Sequence, residues 1–199
     1  MSKILFATRN SNKLREAQEI LVDLELLSPT VISALKNIDP AETGATFEEN
    51  AKLKARAYGR ASGLPVIAED AGLEVASLNN QPGVHSARFI AGADRDRYLK
   101  VLDLLKEQTD RQARFVAVIC WYDPANNETK LFRGTVTGQI AQEPRGTSGF
   151  GYDPIFIPKG YDQTFGELEA NVKHQLSHRK KALSAFYDWW QARSVNLLT

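Results

Sequence analysis

Apolar residues along the chain fall into short runs and periodic stripes separated by polar loops. Lys3 to Ala7 is an apolar run that predicts a buried strand. A polar loop, Thr8 to Asn12, follows it. Leu14, Ala17, Leu21 and Leu24 then recur at helical spacing, which predicts a helix over Lys13–Leu24. Thr46-Phe47-Glu48-Glu49 has the form of a capping box, with Thr46 as N-cap and Glu49 reaching back. The helix it opens carries Phe47, Ala51, Ala55 and Tyr58 on one face and ends at Gly63. Pro65 to Ala68 reads as a second buried strand, with Glu69 and Asp70 at its carboxyl end. Gln81-Pro82-Gly83 is a turn, and Asp94 to Glu107 is an amphipathic helix with Tyr98, Leu102 and Leu105 inward. Phe115 to Tyr122 is apolar at both alternating sets of positions, which predicts a central strand covered on both faces. Asp123 to Asn127 is a hairpin loop. Phe132 to Ile140 alternates as a half-exposed strand does, and Ile155 to Ile157 is a further strand. Ser177 to Arg193 is the last helix, with Ala182, Phe186, Trp189 and Trp190 inward. Strand and helix alternate early and a hairpin comes later, so the expectation is an α/β fold: a mixed β-sheet flanked by helices.

Composition narrows the classes. Hydrophobic residues make up 43% and charged residues 25% of the 199, too apolar for disorder. Lys+Arg 25 against Asp+Glu 24 leaves a net charge of +1, and the single basic cluster, Lys173 to Lys181, forms no stripe. That argues against a nucleic-acid partner. Cys120 is the only cysteine, so an internal disulfide and a Cys-rich zinc site are excluded. The longest apolar run, Phe115 to Tyr122, is far below the roughly 18 residues that span a bilayer. The opening Met1-Ser2-Lys3 with its short apolar run does not read as a signal peptide. A reduced, cytoplasmic protein with no membrane partner is the expectation, and residues 1–199 read as one domain.

Four polar clusters lie at element ends, where loops place functional groups. Thr8-Arg9-Asn10-Ser11-Asn12-Lys13 joins a strand to a helix, and N–H groups at a helix start beside a lysine suit a phosphate. Its missing glycines exclude a Walker A loop. Glu42, Glu69 and Asp70 offer the oxygen ligands that Mg²⁺ prefers. Gly146 to Pro154 interleaves three glycines with Phe150 and Tyr152, a loop that lets backbone approach a ligand while a ring stacks on it. Ser177-His178-Arg179-Lys180-Lys181, preceded by Lys173, sets cations in a first helical turn, where an anionic partner would remove the conflict with the helix dipole.

Together these motifs resemble the inosine triphosphate pyrophosphatase family of the bacterial type. The likeness runs from Ile4 to about Phe186. It rests on Thr8-x-Asn10-x-x-Lys13, Glu42-Thr43-Gly44-x-Thr46-Phe47-x-Glu49-Asn50-Ala51 and Ala68-Glu69-Asp70-x-Gly72-Leu73. It continues through Pro82-Gly83-x-x-Ser86-Ala87-Arg88, Gly149-Phe150-Gly151-Tyr152-Asp153-Pro154-Ile155-Phe156, and Lys173-x4-His178-Arg179. The resemblance implies an elongated mixed sheet forming two lobes around a central nucleotide cleft, in a homodimer. It implies Mg²⁺-dependent hydrolysis of ITP, dITP and XTP to the monophosphate and pyrophosphate, which clears deaminated purines from the nucleotide pool. Thr8, Arg9, Asn10, Ser11, Asn12, Lys13 and Lys173 would then hold the triphosphate. Glu42, Glu69 and Asp70 would gather around Mg²⁺, with Asp70 as proton acceptor for the attacking water. Phe150, Gly151, Tyr152, Asp153, His178 and Arg179 would form the base and sugar pocket. Ala71 stands where the family commonly has Ser or Thr, so its contact with substrate would be through the backbone N–H. Two other readings are a Maf-like nucleotide pyrophosphatase with another base preference, and a nucleotide-binding regulator without turnover.

Overall fold

The computed structural model describes residues 3–196. Among them lies a six-stranded sheet in the order β2-β1-β3-β4-β5-β6. Its strands are β1 (Lys3–Phe6), β2 (Glu25–Leu27), β3 (Val66–Val75), β4 (Gln112–Asp123), β5 (Glu128–Ile140) and β6 (Phe156–Pro158). β1 pairs parallel with β2 and β3, whereas β5 and β6 are antiparallel, so the sheet is mixed. The helices are α1 (Ser11–Ile20), α2 (Phe47–Ser62), α3 (Asp94–Leu104), α4 (Ala170–Leu176) and α5 (His178–Asn196). No helix among the described residues is long and apolar enough to cross a membrane.

The chain divides into two compact units. The first gathers Lys3–Asp70, Ala117–Gly134 and the described chain from Arg179 onward; the second gathers Ala71–Val116 and Thr135–His178. In the first, Ile4, Leu5 and Phe6 are fully buried, as are Ala51 and Ala55 of α2 and Phe186 of α5. α2 comes close to the sheet at Gly59, where a Cβ would lie 2.5 Å from Tyr122 Cδ1. In the second, Leu73, Val101, Leu105, Phe115, Ile155, Phe156 and Phe165 belong to one core cluster. Phe115 and Phe156 pack there with ring centroids 4.7 Å apart.

The local signals hold. The Thr46–Glu49 capping box is formed, and α2 ends on Gly63 at φ 69°. β4 is buried from Phe115 to Tyr122, and β5 alternates from Phe132 to Ile140. Three expectations are corrected, and two elements were not expected. α1 starts two residues early because Asn10 caps it, and it ends at Ile20 while Leu21 and Leu24 stay buried beyond it. α3 stops at Leu104. β2 and α4 were not expected; no residue of α4 is fully buried, and Val172 and Leu176 pack partly exposed against the core. Trp189 and Trp190 do face inward, packing on Trp121 with centroids 4.9 and 6.3 Å apart, and keep partial exposure. Glu69 and Asp70 lie in the middle of β3 rather than at its carboxyl end, and both are buried.

Candidate active site

In the first unit, the strand-to-helix loop is built by its own polar side chains. Asn10 Oδ1 accepts from the Asn12 and Lys13 amides at 2.9 and 3.3 Å, and Thr8 Oγ1 accepts from the Asn10 amide at 3.2 Å. These bonds satisfy amides that a helix start otherwise leaves open. Arg9 reaches away, donating to the Lys36 and Ile38 carbonyls at 2.6 and 2.9 Å. Ser11 and Asn12 open α1, and Lys13 Nζ sits 3.1 Å from Glu69 Oε1.

The segment before α2 folds onto that helix's N-terminus. Gly44 donates to Asn50 Oδ1 at 2.8 Å, and Ala45 donates to Glu49 Oε2 at 2.7 Å. This turn brings Glu42 to Lys54, one helical turn beyond Asn50. Lys54 Nζ donates to Glu42 Oε1 at 2.7 Å and to Asp70 Oδ1 at 3.0 Å, while Asn50 Nδ2 donates to Asp70 Oδ2 at 3.3 Å. Burial pushes the Asp70 carboxyl above the ordinary aspartate value, although Lys54 and Lys13 pull the other way. Burial alone would lower Lys54, but Asp70 and Glu42 overcome it and hold the ammonium above its usual value.

Glu69, the neighbour of Asp70, has other partners. Its Oε2 and Oε1 accept from Arg179 Nε and Nη2 at 2.7 and 2.9 Å, and Arg179 Nη1 also pairs with Glu16. Burial would lower Arg179, but Glu69 and Glu16 together raise its pKa and keep it charged. Among the described residues no three His, Cys, Asp or Glu side chains converge as a metal cage. Glu42 and Asp70 do converge on a single cation. Two hard carboxylates fit Mg²⁺, which completes its shell with water and phosphate. Cys120 is fully buried, and burial pushes its thiol up to about 12, which disfavours the thiolate.

In the second unit, the glycine–aromatic loop is tied to itself and to α4. Asp153 Oδ2 accepts from the Phe150 amide and from Lys173 Nζ, both at 2.7 Å. The same ammonium lies 5.0 Å from the centre of the Phe150 ring. The Tyr152 hydroxyl donates to the Ser86 carbonyl at 2.8 Å, and burial raises its pKa so that it keeps its proton. His178 stacks on Phe115 with centroids 4.8 Å apart and planes at 9°. Ala71 is the half-buried residue following Asp70 on β3.

The expected residues therefore form three groups: Glu42 with Asp70; Lys13 with Glu69 and Arg179; and Phe150 with Asp153 and Lys173. His178 and Arg179, adjacent in sequence, belong to different units. Lys54, Asn50 and Glu16 were missed. Asn50 stood in a quoted motif, and Lys54 follows it at helical spacing on the same face of α2. That repeat of polar residues beside Ala51 and Ala55 was the available signal.

The dITP/XTP pyrophosphatase of Deinococcus deserti is 43% identical over 185 residues, covering 92% of this chain and 86% of that one. That of Rhizobium meliloti is 41% identical over 201 residues, covering 92% and 93%. Among solved structures, a HAM1 protein from Coxiella burnetii has a TM-score of 0.90 at 40% identity, over 96% of this chain and 100% of that chain. The Ham1 protein of Staphylococcus aureus has a TM-score of 0.89 at 39% identity with the same coverage. The Ham1 family model matches residues 4–189, and on that match and these relatives the chain belongs to the Ham1 family.

Proposed function

We propose that this chain hydrolyses non-canonical purine nucleoside triphosphates (ITP, dITP and XTP) to the monophosphate and pyrophosphate, with Mg²⁺ as cofactor. The observation that carries the reading is Asp70. It is a buried carboxylate with a raised pKa, bonded to Lys54 and Asn50 and sharing Lys54 with Glu42. Such a carboxylate is a stronger base than an exposed aspartate. The names of the relatives, dITP/XTP pyrophosphatases, agree with it.

Asp70 takes the proton from the water that attacks the α-phosphorus. Glu42 and Asp70 hold Mg²⁺, whose contribution when bound is to neutralise charge on the leaving pyrophosphate. Lys54 keeps both carboxylates in place, and Glu69 holds Arg179 and Lys13. Thr8, Asn10, Ser11, Asn12 and Lys13 at the start of α1 receive the phosphates, with Lys13 and Lys173 as point charges, while Arg9 braces the loop through the Lys36 and Ile38 carbonyls. Phe150 stacks on the base, Gly151 and Ala71 offer backbone, and Tyr152, Asp153 and His178 shape the pocket around it. The three long strands β3, β4 and β5 each contribute residues to both compact units, which supports reading 1–199 as one domain. The same reading makes the protein a cytoplasmic homodimer that clears deaminated purines.

The test is pyrophosphate release by purified protein from ITP, dITP, XTP, ATP and GTP, with Mg²⁺ present or chelated. Turnover of ITP, dITP and XTP well ahead of ATP and GTP, and only with Mg²⁺, is the expected result. Equal turnover of ATP and ITP, or binding without release, would refute it.

A further inference from the structure

The loop Gly149–Asp153 has two points of backbone freedom, Gly149 at φ +81° and Gly151 at φ +64°, on either side of Phe150. At Gly149 a Cβ would lie 2.1 Å from Asp153 Oδ2, so the chain can wrap that carboxylate only with glycine there. The Phe150 amide is held by Asp153 and the Tyr152 hydroxyl by the Ser86 carbonyl. The amide of Gly151, between them, donates to Asp94 Oδ2 at 2.8 Å, 57 residues away in sequence.

Asp94 is the first residue of α3. An acid there ordinarily serves the open amides and dipole of its own helix. Here Asp96 does so, its Oδ2 accepting from the Ala93 amide at 2.8 Å, and Asp94 is aimed at the loop instead. Its other oxygen, Oδ1, accepts from Arg97 Nη2 at 2.5 Å. Arg97 Nη1 in turn donates to the Gly92 carbonyl at 2.7 Å. Arg97 is mostly buried, with 16% of its side chain exposed, so it fixes a carboxylate that is itself 47% exposed.

We propose that Asp94, held by Arg97, is a positioning residue for substrate: it anchors the Gly151 amide and thereby sets the place of the Phe150 ring. This rests on the reading that Phe150 stacks on the base. A loop free to turn at Gly149 and Gly151 must be ordered each time a nucleotide binds, and that ordering is subtracted from affinity. An anchored loop meets the base already in place. Asp94 touches neither the reacting atoms nor the groups assigned to them, so its effect falls on KM and leaves kcat alone.

The experiment compares wild type with Asp94→Ala, Asp94→Asn and Arg97→Ala. It measures steady-state hydrolysis of ITP with Mg²⁺ and hydrogen exchange of the segment 146–154 in the protein without nucleotide. Asp94→Ala is expected to raise KM about 5- to 10-fold, the loss of one charge-assisted hydrogen bond at a part-exposed site, with kcat within about two-fold. Exchange in 146–154 speeds up. Asp94→Asn keeps one acceptor, which serves the Gly151 amide only with Nδ2 turned toward Arg97, so it restores part of KM and of the protection, and Arg97→Ala also falls between wild type and Asp94→Ala. Unchanged KM and exchange in Asp94→Ala would overturn the proposal. So would a fall in kcat at constant KM, or Asp94→Asn behaving as badly as Asp94→Ala. If wild type hydrolyses no purine triphosphate, the base-stacking reading fails on its own, and the exchange measurement still decides whether Asp94 anchors the loop.

Discussion

Replacing Lys54 by methionine removes the ammonium and keeps most of the stem, so it isolates the charge. Lys54 and Asp70 have side chains 13% and 8% exposed, and Glu42 is 27% exposed. Removing one partner of a buried pair costs about 3–5 kcal/mol. Glu42 can turn partly to water, so the deficit rests mainly on Asp70, and about 2–3 kcal/mol at pH 7 is the fitting range. For a chain of this size that lowers Tm by about 5–10 °C. The deficit depends on pH in a definite direction. Asp70 already has a raised pKa, and losing Lys54 raises it further. A group raised in the folded state contributes stability below its unfolded value, lost as pH rises through its folded value. The Lys54→Met deficit is therefore smallest in acid and opens as pH rises through the folded pKa of Asp70. Thermal unfolding of both proteins from pH 4.5 to 8, with and without Mg²⁺, reads this directly. Mg²⁺ raises the Tm of the variant more than that of wild type, because it neutralises the same two carboxylates. A deficit constant across that pH range, or equal Mg²⁺ shifts, would refute the account of Lys54 as the neutralising cation.

Asp70→Asn loses at least about 10²-fold in kcat on ITP, the usual scale for a missing general base, and its Tm does not fall at pH 7. Near-normal kcat in folded Asp70→Asn refutes the role. Arg179→Lys cannot reproduce the fork onto Glu69 and the bond to Glu16, so it loses about 3–5 kcal/mol of stability and activity on ITP and ATP together. A changed ITP/ATP ratio with intact Tm would show Arg179 reading the base. Gly59→Ala gains helix propensity but drives a Cβ onto Tyr122, and the overpacking of about 1–3 kcal/mol wins, lowering Tm.

What the sequence made legible was local. A capping box needs four residues, a helix face needs a repeat, and the alternation of β5 is visible in the strand itself. β2 is three residues long, and the pairing that makes it a strand is with Lys3, Ile4 and Leu5, across a whole helix. α4 is seven residues long and sends only Val172 and Leu176 against the core, too short a stripe to read. Glu69 and Asp70 looked like a strand end because two buried acids inside a strand are unfavourable alone. Their partners come from far along the chain: Lys54 is 16 residues from Asp70, and Arg179 is 110 residues from Glu69. Motif resemblance set Glu42, Glu69 and Asp70 together and could not show that Glu42 and Asp70 share Lys54 while Glu69 takes Arg179 and Lys13.

That pairing bears on how a triphosphate is received. In the first unit the ion pairs around β3 set Lys13, Lys54 and Arg179 against Glu16, Glu42, Glu69 and Asp70. Among the described residues these pairs set four carboxylates against three cations, and each of the three cations has an acidic partner. A bare triphosphate adds several negative charges to such a cluster, and at short range in a poorly solvated site that repulsion is large. Binding must therefore bring positive charge with it or take a cation from its carboxylate. Arg179 is the worst candidate, since its side chain is 5% exposed and forked onto Glu69. Lys13 is the best, with a side chain 23% exposed and a single 3.1 Å contact to Glu69. Glu69 loses little if Lys13 leaves, because Arg179 still satisfies both its oxygens. Asp70 and Glu42 would lose much if Lys54 left them without replacement. The arrangement thus separates a cation free to turn toward phosphate from one that must stay unless a divalent ion takes its place.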